Sequence, residues 1–157
     1  MKNNPNGNTQ RGYNTNLASE FFVLSMLYRL GLDASLTLGN KKRVDISVVL
    51  DAGKAITIDV KAVAGKNDWL MGGVPESPKP NHYVILVSFE GRFRDATQLP
   101  RCWVLRHDEV LPLVRTSKNP ISKQPMKYLS RKEVVTNFVA REGAWYLFDE
   151  LNVGQTQ

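Results

Sequence analysis

Alternation of apolar and polar positions marks the first half of the chain. Over residues 43–50, Val44, Ile46, Val48 and Leu50 share one face, while Asp45, Ser47 and Val49 share the other. Over residues 54–62, Ile56, Ile58, Val60 and Ala62 alternate with Thr57, Asp59 and Lys61. A period of two predicts strands with one buried face. Residues 34–38 read as a strand before them, residues 82–89 as a fourth, apolar through Val84–Val87, and residues 101–105 as a fifth. Gly39-Asn40-Lys41-Lys42 and Asp51-Ala52-Gly53 supply turns.

Elsewhere the period is helical. Leu17, Phe21, Leu24 and Tyr28 recur at helical spacing with Leu27 beside them, after a cap at Asn14, Thr15 or Asn16. Phe22, Val23, Met26 and Leu30 widen the stripe, so the helix reads as mostly buried, and Gly31 stops it. Asp108 can cap a short helix toward Leu113, interrupted by Pro112. Ser130 and Glu133 form a capping-box pattern for a helix over residues 131–139, and a last helical stretch spans residues 143–151. Residues 1–13, rich in Asn and Gly, read as a mobile arm. Residues 63–81 read as a long loop, residues 115–127 as a connector rich in Lys and Pro, and residues 152–157 as a tail. The expectation is one α/β domain over residues 14–151.

The two central strands fix a register. A two-residue turn at Ala52-Gly53 would set Asp45 against Val60 and spoil both faces. A three-residue loop, Asp51-Ala52-Gly53, pairs Leu50 with Lys54 and Ile46 with Ile58 and aligns the apolar sets. It also sets Asp45 opposite Asp59, with Lys61 one strand step further on the same face. Facing carboxylates repel. Cross-strand ion pairs on a solvated face would relieve that, and so would a divalent cation. Oxygen ligands of this kind suit Mg²⁺ or Mn²⁺, which take one or two carboxylates together with water and phosphate oxygens.

Composition narrows the partners. The chain has 157 residues and a formal net charge of +6, which favours an anionic partner, nucleic acid first, although solubility alone also accounts for such a charge. The single cysteine, Cys102, sits in an apolar run and reads as a buried, reduced thiol. His82 and His107 make no zinc spacing with it and read as structural or exposed. No glycine pattern fits a phosphate-cradling loop, and no serine has a hydrolase partner pattern. The N-terminal residues lack the apolar core of a signal peptide and no run is long enough for a membrane span, so a cytoplasmic protein with no membrane partner is expected.

The order of these residues resembles the PD-(D/E)XK nuclease superfamily, the restriction-endonuclease-like fold. The likeness covers residues 14–106: a helix carrying Glu20, the strand Val44-Asp45-Ile46, a short hairpin, the strand Ile58-Asp59-Val60-Lys61, then an apolar strand after a long loop. Within that superfamily it is nearest to the archaeal-type Holliday-junction resolvases and to small restriction-like proteins. Val44 stands where the motif has proline, and Asp59 fills a slot usually held by Glu. The resemblance implies a central mixed sheet of about five strands flanked by helices. It further implies Mg²⁺ (or Mn²⁺) held by Asp45, Asp59 and Glu20, with Lys61 assisting the attacking water in the hydrolysis of DNA. RNA as substrate, or a nuclease-fold binding module without turnover, remain open alternatives, and a homodimer would suit cutting two strands.

Three further residues, Lys66, Trp69 and Lys79 of the long loop, are candidates for touching a nucleic-acid backbone or stacking on a base, and Trp69 could instead close over the core. Lys118, Lys123, Lys127, Arg131 and Lys132 form a basic stretch that reads as solvated surface or as a phosphate contact.

Overall fold

Strand β2 (Ile46–Asp51) pairs antiparallel with β3 (Lys54–Val63), with Ile46 opposite Ile58 and Val48 opposite Ile56. This is the register the apolar faces demand. The turn differs: Asp51, not Leu50, pairs with Lys54, and the register shifts between Val49 and Asp51. Such a bulge keeps the core pairs together while shortening the loop. The computed structural model describes residues 5–37, 44–51 and 53–152, so the predicted turn at 39–42 and residues 1–4 and 153–157 lie outside the described residues.

The central sheet is mixed and five-stranded, in the order β1-β2-β3-β5-β6, where β1 is Asp33–Leu36, β5 is His82–Ser88 and β6 is Arg101–Arg106. Only the β3–β5 pair is parallel among these ladders. Parallel neighbours need a crossover, here the residues between Val63 and His82. Inside it lies β4 (Trp69–Leu70), which joins β8 (Pro125–Leu129) and β7 (Arg115–Lys118) in a second sheet of three strands. The long loop and the connector of the sequence reading thus carry strands. They are short, and prolines punctuate both stretches, which hides them from a period-two search.

Every residue of β5 is buried, because each face of the central sheet is covered. On one face, Ile46, Ile58, Ile85 and Val104 pack with Val23 and Leu27 of α1 (Pro5–Arg29) and Phe148 of α4 (Tyr146–Asn152). On the other, Val84, Leu86 and Trp103 pack with Trp69, Leu129 and Val134 of α3 (Arg131–Asn137). The fold is therefore an α/β sandwich with a five-stranded mixed sheet flanked by helices.

Helix α1 corrects two expectations. It starts at Pro5, so most of the expected arm is helix; proline suits a first turn, where its missing N–H has no partner to lose. Its buried line is Thr15, Ser19, Glu20, Val23 and Leu27, whereas Phe21 and Tyr28 of the predicted stripe are 56% and 57% exposed. Burial of the polar members is tolerable because the Thr15 and Ser19 hydroxyls donate back to Arg11 O and Asn16 O at 2.9 and 2.7 Å. The short helix α2 (His107–Val110) passes into a 3₁₀ turn through Pro112. At α3 the capping box does not form. Asp68 Oδ1 accepts the Arg131 N–H at 2.8 Å instead, and Glu133 pairs with Arg115.

Candidate functional site

Beyond the Ile46–Ile58 pair, Asp45 makes the next rung between β2 and β3 with its side chain. Its N–H donates to Ile58 O at 3.0 Å, its carbonyl accepts from Thr37 N–H at 2.9 Å, and its Oδ2 accepts from Val60 N–H at 2.7 Å. A strand edge left by its neighbour presents unpaired N–H groups, and the carboxylate fills one. This anchors Asp45, which is buried, at the mouth of a cavity of about 690 Å³. Glu20 of α1 and Lys61 of β3 line the same cavity, with Asn16, Asp68 and Gly72 around them.

Lys61 donates from Nζ to Gly72 O at 2.9 Å. Gly72 belongs to the loop after β4, pinned by the buried Met71 and Val74 and by Met71 N–H donating to Lys127 O at 2.9 Å. The ammonium is thereby held across the cleft from a fixed backbone.

Asp59 turns elsewhere. Its Oδ2 lies 3.2 Å from His82 Nε2, and His82 Nδ1 lies 2.7 Å from Thr57 Oγ1. Thr57 and His82 are ladder partners of the parallel pair, and Asp59 is one strand step on, so the three side chains share a face. His107 stacks edge-on against His82 with ring centroids 4.9 Å apart. It is tied to Pro75 O at 2.9 Å through Nε2 and accepts Lys79 N–H at 3.0 Å through Nδ1. Burial holds the His107 imidazole below its ordinary pKa. The register placed Asp45 opposite Asp59, but the two carboxylates take different partners: Glu20, Asp45 and Lys61 line the cleft, and Asp59 forms a buried pair with His82. Both histidines, read from the sequence as structural or exposed, are buried and hydrogen-bonded, and the partnership of His82 with Asp59 was not legible there. A histidine opening a strand parallel to the one bearing Asp59 was the available signal.

Of the loop candidates, Trp69 is fully buried, its indole N–H donating to Val87 O at 3.0 Å and its ring edge-on to Trp103. It closes the second core and offers no face to a base. Lys66 is exposed near Glu90, and Lys79 is exposed at the loop end. Burial pushes the Cys102 thiol up to about 12, which leaves it protonated and unreactive.

The resemblance implies a divalent cation, and the donors present suit one. Among the described residues no group of three His, Cys, Asp or Glu side chains converges. Glu20 and Asp45 are nevertheless two acidic residues lining one cleft. That is the donor set Mg²⁺ takes when water and phosphate oxygens complete its shell. No helix among the described residues is long and apolar enough to cross a membrane.

A five-stranded mixed sheet flanked by helices is an α/β fold, and a solved structure shares it. The chain is similar in structure to a bacterial homing endonuclease, I-Ssp6803I, with a TM-score of 0.51 at 12% identity, over 90% of this chain and 93% of that one. At that identity the likeness is one of fold. No protein-family model and no curated protein matches the sequence.

Proposed function

We propose that the protein is a metal-dependent endonuclease that hydrolyses phosphodiester bonds in DNA, with the cleft of Glu20, Asp45 and Lys61 as its centre. The observation that carries this reading is the gathering of two buried carboxylates and one lysine in a single cleft of a nuclease-like fold. The net charge of +6 suits a polyanionic substrate, and the structural neighbour is itself described as a homing endonuclease. In this reading Asp45 and Glu20 would hold the cation, which would supply Lewis-acid stabilisation and a more acidic water beside the phosphate. Lys61, released from the Gly72 carbonyl, would orient the attacking water or donate to the phosphoryl oxygens as their charge grows. Water attacks phosphorus, the bond to the leaving oxygen breaks, and the departing oxygen takes a proton. Asp59 belongs to this centre, as the superfamily pattern implies, only when its carboxylate leaves His82.

That last requirement favours a second reading, a nuclease-fold module that binds nucleic acid without turnover. Plasmid, branched and single-stranded DNA and an RNA panel, each with Mg²⁺ and with chelator, separate the readings. Cleavage of DNA that stops in chelator supports the first. Cleavage of RNA alone moves the substrate class, and salt-dependent binding without cleavage under any divalent metal establishes the second.

A further inference from the structure

A second cavity of about 540 Å³ lies beside the first, and arginine sets its character: Arg11 of α1 and Arg92 and Arg94 of the β5–β6 loop line it, with Asn14 and Thr15. No described residue lines both cavities, but neighbouring positions of the same two segments line one or the other. Gly12 and Asn16 of α1 line the carboxylate cleft, while Arg11, Asn14 and Thr15 line the arginine cavity; Val63 borders the first and its neighbour Ala64 the second.

The charge there is unbalanced. Arg101, Arg131 and Arg141 each hold a carboxylate, on Glu142, Glu90 and Glu109. Among the described residues Arg11, Arg92 and Arg94 make no ion pair; Arg92 donates only to the neutral Gln98 side chain at 3.3 Å. The one carboxylate lining the cavity, Asp95, accepts the Thr97 N–H and hydroxyl at 3.0 and 2.6 Å and also feels the charge of Arg92, so the lining sets three arginines against a single carboxylate. The loop carrying two of the arginines is also fixed. Glu90 and Gly91 adopt left-handed φ values of 56° and 79°, Gly91 N–H donates to Ala64 O at 2.8 Å, and Phe93 packs edge-on against Phe89. Arginines on a preorganised loop, beside a cleft read as the site of phosphodiester hydrolysis, match the forked, planar recognition of phosphate.

We propose that this cavity is a phosphate-binding subsite that seats the polynucleotide backbone next to the scissile bond. The inference rests on the nuclease reading for its substrate, but it is measured by binding rather than by cleavage. The C-terminal basic stretch is the weaker candidate, because Lys127 and Arg131 are already paired with Glu76 and Glu90.

The test is anisotropy of labelled duplex DNA in EDTA across a salt series, on an Asp45→Asn background. Two triple variants are compared, Arg11→Gln/Arg92→Gln/Arg94→Gln and the charge-matched Lys118→Gln/Lys123→Gln/Lys132→Gln. If each arginine neutralises one phosphate, the first variant flattens the log affinity against log salt slope by about 2.7, so that raising salt from 50 to 200 mM costs it about 40-fold less affinity than its parent. The lysine variant and an all-lysine replacement of the three arginines keep the parent slope. An unchanged slope in the arginine variant, or equal flattening in the lysine variant, overturns the subsite even where the wild-type protein cleaves DNA. A flattened slope confined to the arginine variant upholds the subsite even where no DNA is cleaved, an outcome that removes only the hydrolytic reading.

Discussion

Asp45 is asked to do two things, and two substitutions separate them. Its Oδ2 takes the Val60 N–H at 2.7 Å inside the protein. Asp45→Ala leaves that donor buried without its partner, which costs about 1–3 kcal/mol of stability. Asp45→Asn keeps a carbonyl oxygen in the same place, so most of that stability stays, but the negative charge is gone. A cation centre loses several kcal/mol of transition-state stabilisation with it, on the order of 10³-fold in rate. Urea melts and plasmid nicking with Mg²⁺, run on the same preparations, read both effects. Asp45→Asn should melt close to wild type and fail to cut, while Asp45→Ala should melt early and fail to cut. Cutting at near wild-type rate by Asp45→Asn would refute the catalytic role. An unchanged melt for Asp45→Ala would refute the structural one.

Lys61→Ala should lower cleavage about 10²–10⁴-fold while leaving the urea midpoint near wild type, since its bond to Gly72 O lies at the surface. His82→Phe strands the buried Asp59 carboxylate and the half-buried Thr57 hydroxyl, and calorimetric or urea unfolding should show a loss of about 1–3 kcal/mol, most of it from Asp59. Trp69→Ala empties the second core and should cost about 3–5 kcal/mol, read as a drop in melting midpoint without a DNA-binding defect in the protein that remains folded. Burial holds His107 below its ordinary value of 6.5, so the unfolded chain binds the proton first as pH falls. Its contribution to stability is full above pH 6.5 and is lost on acidification toward the lower folded value. Melting temperatures should fall from pH 7 to pH 5, less steeply for His107→Gln, and a rise over that range would contradict the sign.

The sheet was legible because alternation is a strong local signal: Ile46, Val48, Ile56, Ile58 and Val60 all enter the first core. Register followed from those faces, and only the bulge near Leu50 escaped, since a turn can absorb one residue without moving a core pair. The helix face was not legible. Phe21 and Tyr28 carry larger apolar side chains than Ser19 and Glu20, but the face packed on the sheet is the one bearing Ser19, Glu20, Val23 and Leu27, with Glu20 at the cleft. The second sheet escaped for a related reason: β4 has two residues and gains its stability from Trp69 reaching the central sheet, a contact with no sequence period. At the site, register set Asp45 opposite Asp59 with Lys61 further along the same face; Asp45 and Lys61 line one cleft, and Asp59 turns to His82. The direction of the Asp59 side chain depended on His82, which comes from a strand brought alongside by a crossover, and no local pattern encodes that.

The central claim is that the cleft of Glu20, Asp45 and Lys61 is a metal-dependent hydrolytic centre. The most direct measurement is anomalous diffraction from crystals of the wild-type and Asp45→Asn proteins soaked in Mn²⁺. The account predicts an anomalous peak in the wild type at the carboxylates of Asp45 and Glu20, absent from Asp45→Asn. A wild-type crystal with no peak in that cleft, or an Asp45→Asn crystal with the same peak, would contradict it.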